Sequence, residues 1–251
     1  KVKIGIPKEY MEAEGIDDDV RRVMERCETA LSAAGCTLTQ VSLPHTRYAV
    51  PVYYIVVPSE DSSNLARLDG MRYGTRQSAE TLEETYAASR GAGFPDEVKR
   101  RIMIGTWALS AGYYDAYYKK AQQVCTRMCE DFQVVFREVD ALLTPTSPFP
   151  AFALGEKDGD ILAMYLADVF VSPSALAGLP GLSVPVGKTE AGLPVGMQII
   201  GPRMGESAVL GLGTAIEEIV SSMSSKLRRF IPEETHPRVA YQAQLSRKNA
   251  N

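Results

Sequence analysis

The sequence predicts an α/β fold: a mixed sheet flanked by helices. Three observations carry that expectation. The segment from Lys1 to Leu43 reads strand, helix, strand, the pattern of a βαβ unit with parallel strands. Two β-rich runs, Leu182–Val186 and Val195–Ile200, are joined by a short Gly-, Glu- and Lys-bearing turn and read as a hairpin or a sheet pair. Helical periodicity fills most of the chain between them.

Taken in order, Lys1–Pro7 alternates charged and β-branched residues as a strand does. From Asp17 to Ala34, Val20, Val23, Met24, Cys27, Ala30 and Leu31 recur at helical spacing, and three aspartates occupy the first turn, where the helix dipole favours anions. Gly35 stops this helix, and Thr37–Leu43 forms the second strand. Ala49–Leu68 is helical, followed by a loop from Asp69 to Gly74. An acidic helix over Ala79–Ser89 precedes a second loop, Arg90–Phe94. Pro95, with Asp96 and Glu97 behind it, opens the longest helical run, expected to reach about Val139 with bends or close packing at Gly105 and Gly112. Ala141–Thr144 is a buried strand closed by a proline-rich loop. Asp160–Phe170 is helical until Pro173 ends or kinks it, and Gly205–Val220 is the last helix. Residues 1–220 thus form one domain, and 221–251 a basic, polar tail read as solvated and mobile.

Composition excludes several function classes. The chain has 251 residues, 45% apolar and 23% charged, with a formal net charge of −4. That balance argues against a general nucleic-acid or anionic-membrane binder, and no run approaches the roughly 20 apolar residues of a membrane span. Four cysteines are too few for a disulfide scaffold, and the two histidines, His45 and His236, are scattered. Cys125 and Cys129 share a helix face but read as reduced structural thiols, with no metal site. No Gly-x-Ser-x-Gly elbow, Walker loop or GxGxxG motif occurs. The amino terminus begins as a strand under way, with no initiating Met, so a piece of a longer protein is expected.

Two charged residues stand apart. Between Ile161 and Gly187, Asp168 is the single formally charged side chain, on a helix that is apolar nearly all round. A buried carboxylate costs several kcal/mol without a partner, so Asp168 is expected to meet a cation or several donors. Arg101 falls within the apolar stripe Val98, Ile102, Gly105 and Leu109, whereas Arg100 points to solvent. One reading is a structural salt bridge from Arg101 to Asp168. The other is a zwitterion site, in which a guanidinium holds a carboxylate and an aspartate an ammonium. Tyrosine pairs Tyr113/Tyr117 and Tyr114/Tyr118 are read as packing, with hydroxyls finding local partners, rather than as a base-stacking platform.

Several segments resemble the amidase-signature family. They are Lys3-Ile-Gly-Ile-Pro-Lys-Glu-Tyr, Ser62 to Gly74 (SSNLARLDGMRYG), Glu97 to Thr106 (EVKRRIMIGT), Leu109 to Gln122 (LSAGYYDAYYKKAQ), Leu143-Thr-Pro-Thr-Ser-Pro, Ala177 to Pro185 (AGLPGLSVP) and Gly192 to Gly201 (GLPVGMQIIG). The last two are shared widely in the family. The stretches from Ser62 and from Leu109 resemble more specifically its tRNA-dependent branch, the glutaminase subunits of glutamyl-tRNA(Gln) amidotransferases.

That resemblance implies the carboxy-terminal portion of an amidase-signature fold. The family's catalytic lysine and two serines belong to an amino-terminal Gly/Ser-rich half that has no match here, so no catalytic residue is assigned and the chain alone is expected to be inactive. It implies that Tyr53, Arg101 and Asp168 line a glutamine pocket, Arg101 taking the α-carboxylate, Asp168 the α-ammonium and the Tyr53 hydroxyl helping to orient the molecule. It implies hydrolysis of the glutamine amide through an acyl-enzyme, with the ammonia used to convert Glu-tRNA(Gln) to Gln-tRNA(Gln) in protein biosynthesis. The expected partners are amidotransferase subunits B and C and, through the complex, tRNA. No cofactor is expected on this chain; ATP and Mg²⁺ would serve the partner subunit, in the cytoplasm. A generic small-amide hydrolase and a non-catalytic homologue acting as a binding module are the alternatives.

Overall fold

The computed structural model describes residues 1–13, 15–156, 164 and 166–228, the side chains of 223–228 apart. They fall into two compact units. One comprises Lys1–Pro44 and the chain from Asp131 onward; the other is the intervening His45–Glu130.

The first unit holds a five-stranded mixed sheet. Strand β1 (Lys3–Pro7) leads through the short helix α1 (Lys8–Met11) and α2 (Asp18–Ala33) to β2 (Thr37–Val41), which pairs with it in parallel. Strand β3 (Ala141–Pro145) lies parallel to β1 on its other side. After helix α7 (Ser172–Leu176), β4 (Gly181–Lys188) and β5 (Pro194–Ile200) form the antiparallel hairpin that the sequence predicts, and the strand order is β2-β1-β3-β5-β4. (Helices α3 to α6 belong to the intervening segment.) The final helix, α8, runs Glu206–Arg228, past the change of composition at Ser221. Residues 229–251, the rest of the expected tail, lie outside the described residues.

The core follows from the sequence pattern. Asp17 caps α2 by accepting from the Asp19 amide, and Val20, Val23, Met24, Cys27 and Leu31 bury the stripe facing the sheet. Strand β3 is buried throughout, as its central position requires. Helix α8 lies close over β4, because Gly213 leaves no room for a Cβ, which would stand 2.4 Å from Leu182 Cδ2. Burial, with Glu28 adding to it, pushes the Cys27 thiol up to about 11. At pH 8 only about one Cys27 in a thousand is thiolate, so an alkylating reagent should label half-buried Cys36 and spare Cys27 until denaturant unfolds the protein. Equal labelling rates for the two in the native protein would contradict this packing.

The second unit is helical: α3 (Ala49–Asn64), α4 (Leu82–Gly93), α5 (Asp96–Ala108) and α6 (Tyr118–Val135), the last of which continues into the first unit. Helix α4 begins with a capping box, Thr81 Oγ1 accepting from the Glu84 amide and Glu84 accepting from the Thr81 amide, both at 3.2 Å. It runs through Arg90 to Gly93, where the sequence predicts a loop. Arg90 stays helical while its guanidinium donates to the Leu65 and Leu68 carbonyls at 2.9 and 3.1 Å, bracing the loop after α3.

The expected single run from Pro95 to Val139 is two helices. Gly112 adopts φ +86° in the turns between them, a left-handed conformation that interrupts a helix. Gly105 acts differently: α5 presses there against α3, and an added Cβ would lie 1.8 Å from the Pro58 carbonyl oxygen. No helix among the described residues is long and apolar enough to cross a membrane.

Candidate functional site

In the second unit, Arg101 projects from the second turn of α5 and is only 26% exposed. Its Nε donates to Glu97 Oε1 at 3.2 Å, one turn earlier on the same helix, and its Nη1 donates to the Tyr53 hydroxyl at 3.2 Å. The guanidinium carbon also lies 5.9 Å from the Tyr54 ring centroid. Arg100 takes the other oxygen of Glu97 from the exposed side. The hydrogen bond it donates to Tyr53, and after it the one it donates to Glu97, holds Arg101 protonated well above its usual range, against the opposing effect of burial. These contacts fix the plane of the guanidinium and leave both Nη2 hydrogens unspent among the described residues. A planar donor in a set orientation with an unspent edge suits a carboxylate.

Within its own unit, Arg101 forms an ion pair with Glu97. The pairing was legible: a Glu four residues before an Arg on a helix is the favoured arrangement. Tyr53 reaches Arg101 because α3 and α5 pack closely at Gly105, which no local sequence pattern announces.

In the first unit, Asp168 sits in the turns that lead into α7, its carbonyl accepting from the Val171 and Ser172 amides at 3.2 and 3.0 Å. Its side chain is exposed, and no hydrogen bond or ion pair to the carboxylate occurs among the described residues. This corrects the expectation of a carboxylate sunk in an apolar helix. Much of that segment (157–163 and Tyr165) lies outside the described residues, but Met164 and Leu166 are 44% and 45% exposed, and Phe170 alone turns fully inward. The absence of charges around Asp168 was read as burial. The described part is instead an apolar surface bearing one carboxylate, and a solvated carboxylate needs no internal partner.

Ala167, next to Asp168, lines a cavity of about 440 Å³ that also opens on Thr146, Phe149, Ser183 and Pro185. The cavity lies just beyond the carboxyl end of β3, a usual position for ligands in α/β folds. Thr146 and Ser183 share a hydrogen bond of 2.7 Å in its wall, and Gly196 makes room for them, since a Cβ would come within 3.0 Å of both hydroxyls. Sequence reading identified the Pro145–Pro150 loop as a strand terminator and part of a family motif but missed this cavity. Among the described residues no group of three His, Cys, Asp or Glu could hold a metal ion.

The aromatic pairs read from the sequence form a ring cluster that is largely exposed. The rings of Tyr113 and Tyr117 lie 6.1 Å apart with Trp107 against both, and Tyr118 donates to Glu60.

Comparison with known proteins places these features in context. The family model described as Amidase matches residues 1–210. The A subunit of glutamyl-tRNA(Gln) amidotransferase from Hyphomonas neptunium is 53% identical over 220 residues, 88% of this chain and 45% of the relative. The protein of the same name from Rhizorhabdus wittichii is 56% identical over 218 residues, 86% of this chain and 44% of the relative. The crystal structure of the same amidotransferase polypeptide from Thermotoga maritima superimposes with a TM-score of 0.62 at 39% identity, covering 83% of this chain and 40% of that one. The chain therefore spans about 45% of the length of the curated relatives it matches.

Proposed function

The chain belongs to the amidase family, and from that premise we propose that it is the substrate-binding portion of a glutaminase subunit in a tRNA-dependent amidotransferase. Arg101 binds the α-carboxylate of glutamine through its unspent guanidinium edge. Tyr53 and Glu97 hold that edge in position, and Asp168 binds the α-ammonium. The observation that carries this reading is the guanidinium of Arg101, oriented by two side-chain acceptors from different helices and still able to donate. The name shared by relatives more than half identical to the chain supports the choice of glutamine over other amides.

In this mechanism the contribution of these residues is selection and orientation. Contacts to the two charged ends of an α-amino acid fix the remote amide, so that binding energy is spent on placing the scissile carbon. Covalent attack on that carbon belongs to residues of the family's amino-terminal half. The ammonia released is transferred in a partner subunit to the glutamyl group of Glu-tRNA(Gln), where ATP would be consumed with Mg²⁺ as its metal cofactor, and a small third subunit completes the assembly in the cytoplasm. A generic amidase acting on uncharged small amides has no use for a guanidinium oriented with an unspent edge.

The test is ammonia release by the full-length protein that carries this chain. Glutamine should be hydrolysed, while glutaminamide and Nα-acetylglutamine, which lack the α-carboxylate and the α-ammonium charge, should each show KM raised by about tenfold or more. Equal KM for all three would remove the zwitterion site.

A further inference from the structure

Gln198 on β5 is 5% exposed, and both hydrogens of its side-chain amide nitrogen are committed. Nε2 donates to Thr144 Oγ1 on β3 at 3.0 Å and to the main-chain carbonyl of Phe170 at 2.9 Å. The Thr144 hydroxyl donates in turn to the Pro145 carbonyl at 3.1 Å, so it offers Gln198 an acceptor. Both neighbours of Nε2 are therefore acceptors, which sets the orientation of the amide. Phe170 is itself 2% exposed and stacks on Tyr10, with ring centroids 5.4 Å apart. One buried side chain thus ties two adjacent strands of the sheet to the turn that carries Asp168.

From this geometry we infer that Gln198 is a positioning residue for Asp168. The segment from Met164 to Val171 has few other fixed points on the described structure. Met164, Leu166 and Asp168 are exposed. The hydrogen bonds of the described segment are local, from Ala167 to Met164, Val169 to Leu166, Val171 and Ser172 to Asp168, and Ser174 and Ala175 to the Val171 carbonyl, except the Gln198 bond to Phe170, which comes from the sheet. These local bonds shape the turn and join it to α7 but do not attach it to the sheet. Together with the buried Phe170 ring, Gln198 supplies that attachment, two residues from the carboxylate, and so helps set where the exposed Asp168 side chain stands. A ligand ammonium then meets a carboxylate already in place, without the ordering cost of a mobile one. This inference rests on the proposed role of Asp168 as the ammonium acceptor.

The test compares variants of the full-length protein that carries this chain, by steady-state glutamine hydrolysis. Gln198→Met keeps the volume and removes both donors. It should raise KM for glutamine by about tenfold and leave kcat within about twofold, the split expected when ground-state binding is lost. In the Asp168→Asn background, Gln198→Met should add less than about twofold, because its effect passes through Asp168. Thr144→Val, which leaves the Phe170 bond intact, should change KM by less than about twofold. A Gln198→Met protein with unchanged KM and lowered kcat, or one whose effect multiplies with that of Asp168→Asn, overturns the inference. If Asp168→Asn itself leaves KM unchanged, the reading of Asp168 fails and the inference falls with it. Should Gln198→Met not fold, hydrogen exchange on the unsubstituted protein decides. Saturating glutamate, the product, should slow exchange of the Val171 and Ser172 amides severalfold, and should not do so in Asp168→Asn. No slowing in the unsubstituted protein overturns the inference.

Discussion

Replacing Arg101 by alanine in the full-length protein should raise the apparent KM for glutamine by about a hundredfold, close to 3 kcal/mol, while amidation from free ammonia stays within about twofold. The magnitude follows from the chemistry. A hydrogen-bonded charge pair in a partly desolvated site contributes about 1.5–3 kcal/mol, and truncation also leaves the ligand carboxylate without its partner. The split between the two nitrogen sources follows from location: the contact is to the α-carboxylate of the nitrogen donor, which ammonia lacks. Lysine is not a substitute, because a point charge reproduces neither the planar edge nor the simultaneous bonds to Glu97 and Tyr53. A parallel loss of both activities would make Arg101 a structural residue of α5.

Gly105→Ala should destabilise the helical unit by about 3 kcal/mol or more, at the upper end of what overpacking costs. The methyl group would stand 1.8 Å from the Pro58 carbonyl oxygen and 2.8 Å from the Ser59 nitrogen, and main-chain atoms cannot step aside as a flexible side chain can. Pro58 has no N–H, so α3 already lacks one helical hydrogen bond at the point of contact. Separating the helices to admit the methyl would also pull Arg101 from Tyr53. Urea unfolding followed by Trp107 fluorescence measures the shift in midpoint. A change below about 1 kcal/mol would mean that α3 and α5 do not meet as closely as described.

Much of the sheet was legible because its signals are local. The stripe Val20, Val23, Met24, Cys27 and Leu31, the Asp17 cap and the apolar β3 each specify their element within a few residues, and the parallel and antiparallel pairs follow from connection length. Helix ends were less legible where a side chain overrode propensity. Arg90 keeps α4 going through two glycines by bracing the preceding loop, and a left-handed Gly112 splits a run whose apolar period continues on both sides. At the candidate site, the position of Arg101 on a half-buried face was readable from helical spacing. Its acceptor Tyr53, some fifty residues away, depends on the packing of two helices. Asp168 shows the opposite failure: the lack of nearby charges marks an apolar segment, but composition does not tell an apolar core from an apolar surface. Gln198 lay inside a recognised motif, yet its hydrogen bonds became visible only when β3, β5 and the Phe170 carbonyl were brought together.

The central claim is that the charges of Arg101 and Asp168 each read one end of an α-amino acid, and crossing variants with substrates tests it most directly. KM would be measured for glutamine, glutaminamide and Nα-acetylglutamine in the unsubstituted protein, in Arg101→Met and in Asp168→Asn. Arg101→Met should abolish the preference for glutamine over glutaminamide and keep the preference over Nα-acetylglutamine; Asp168→Asn should do the reverse. Loss of both preferences in either variant, or of neither, would contradict the claim.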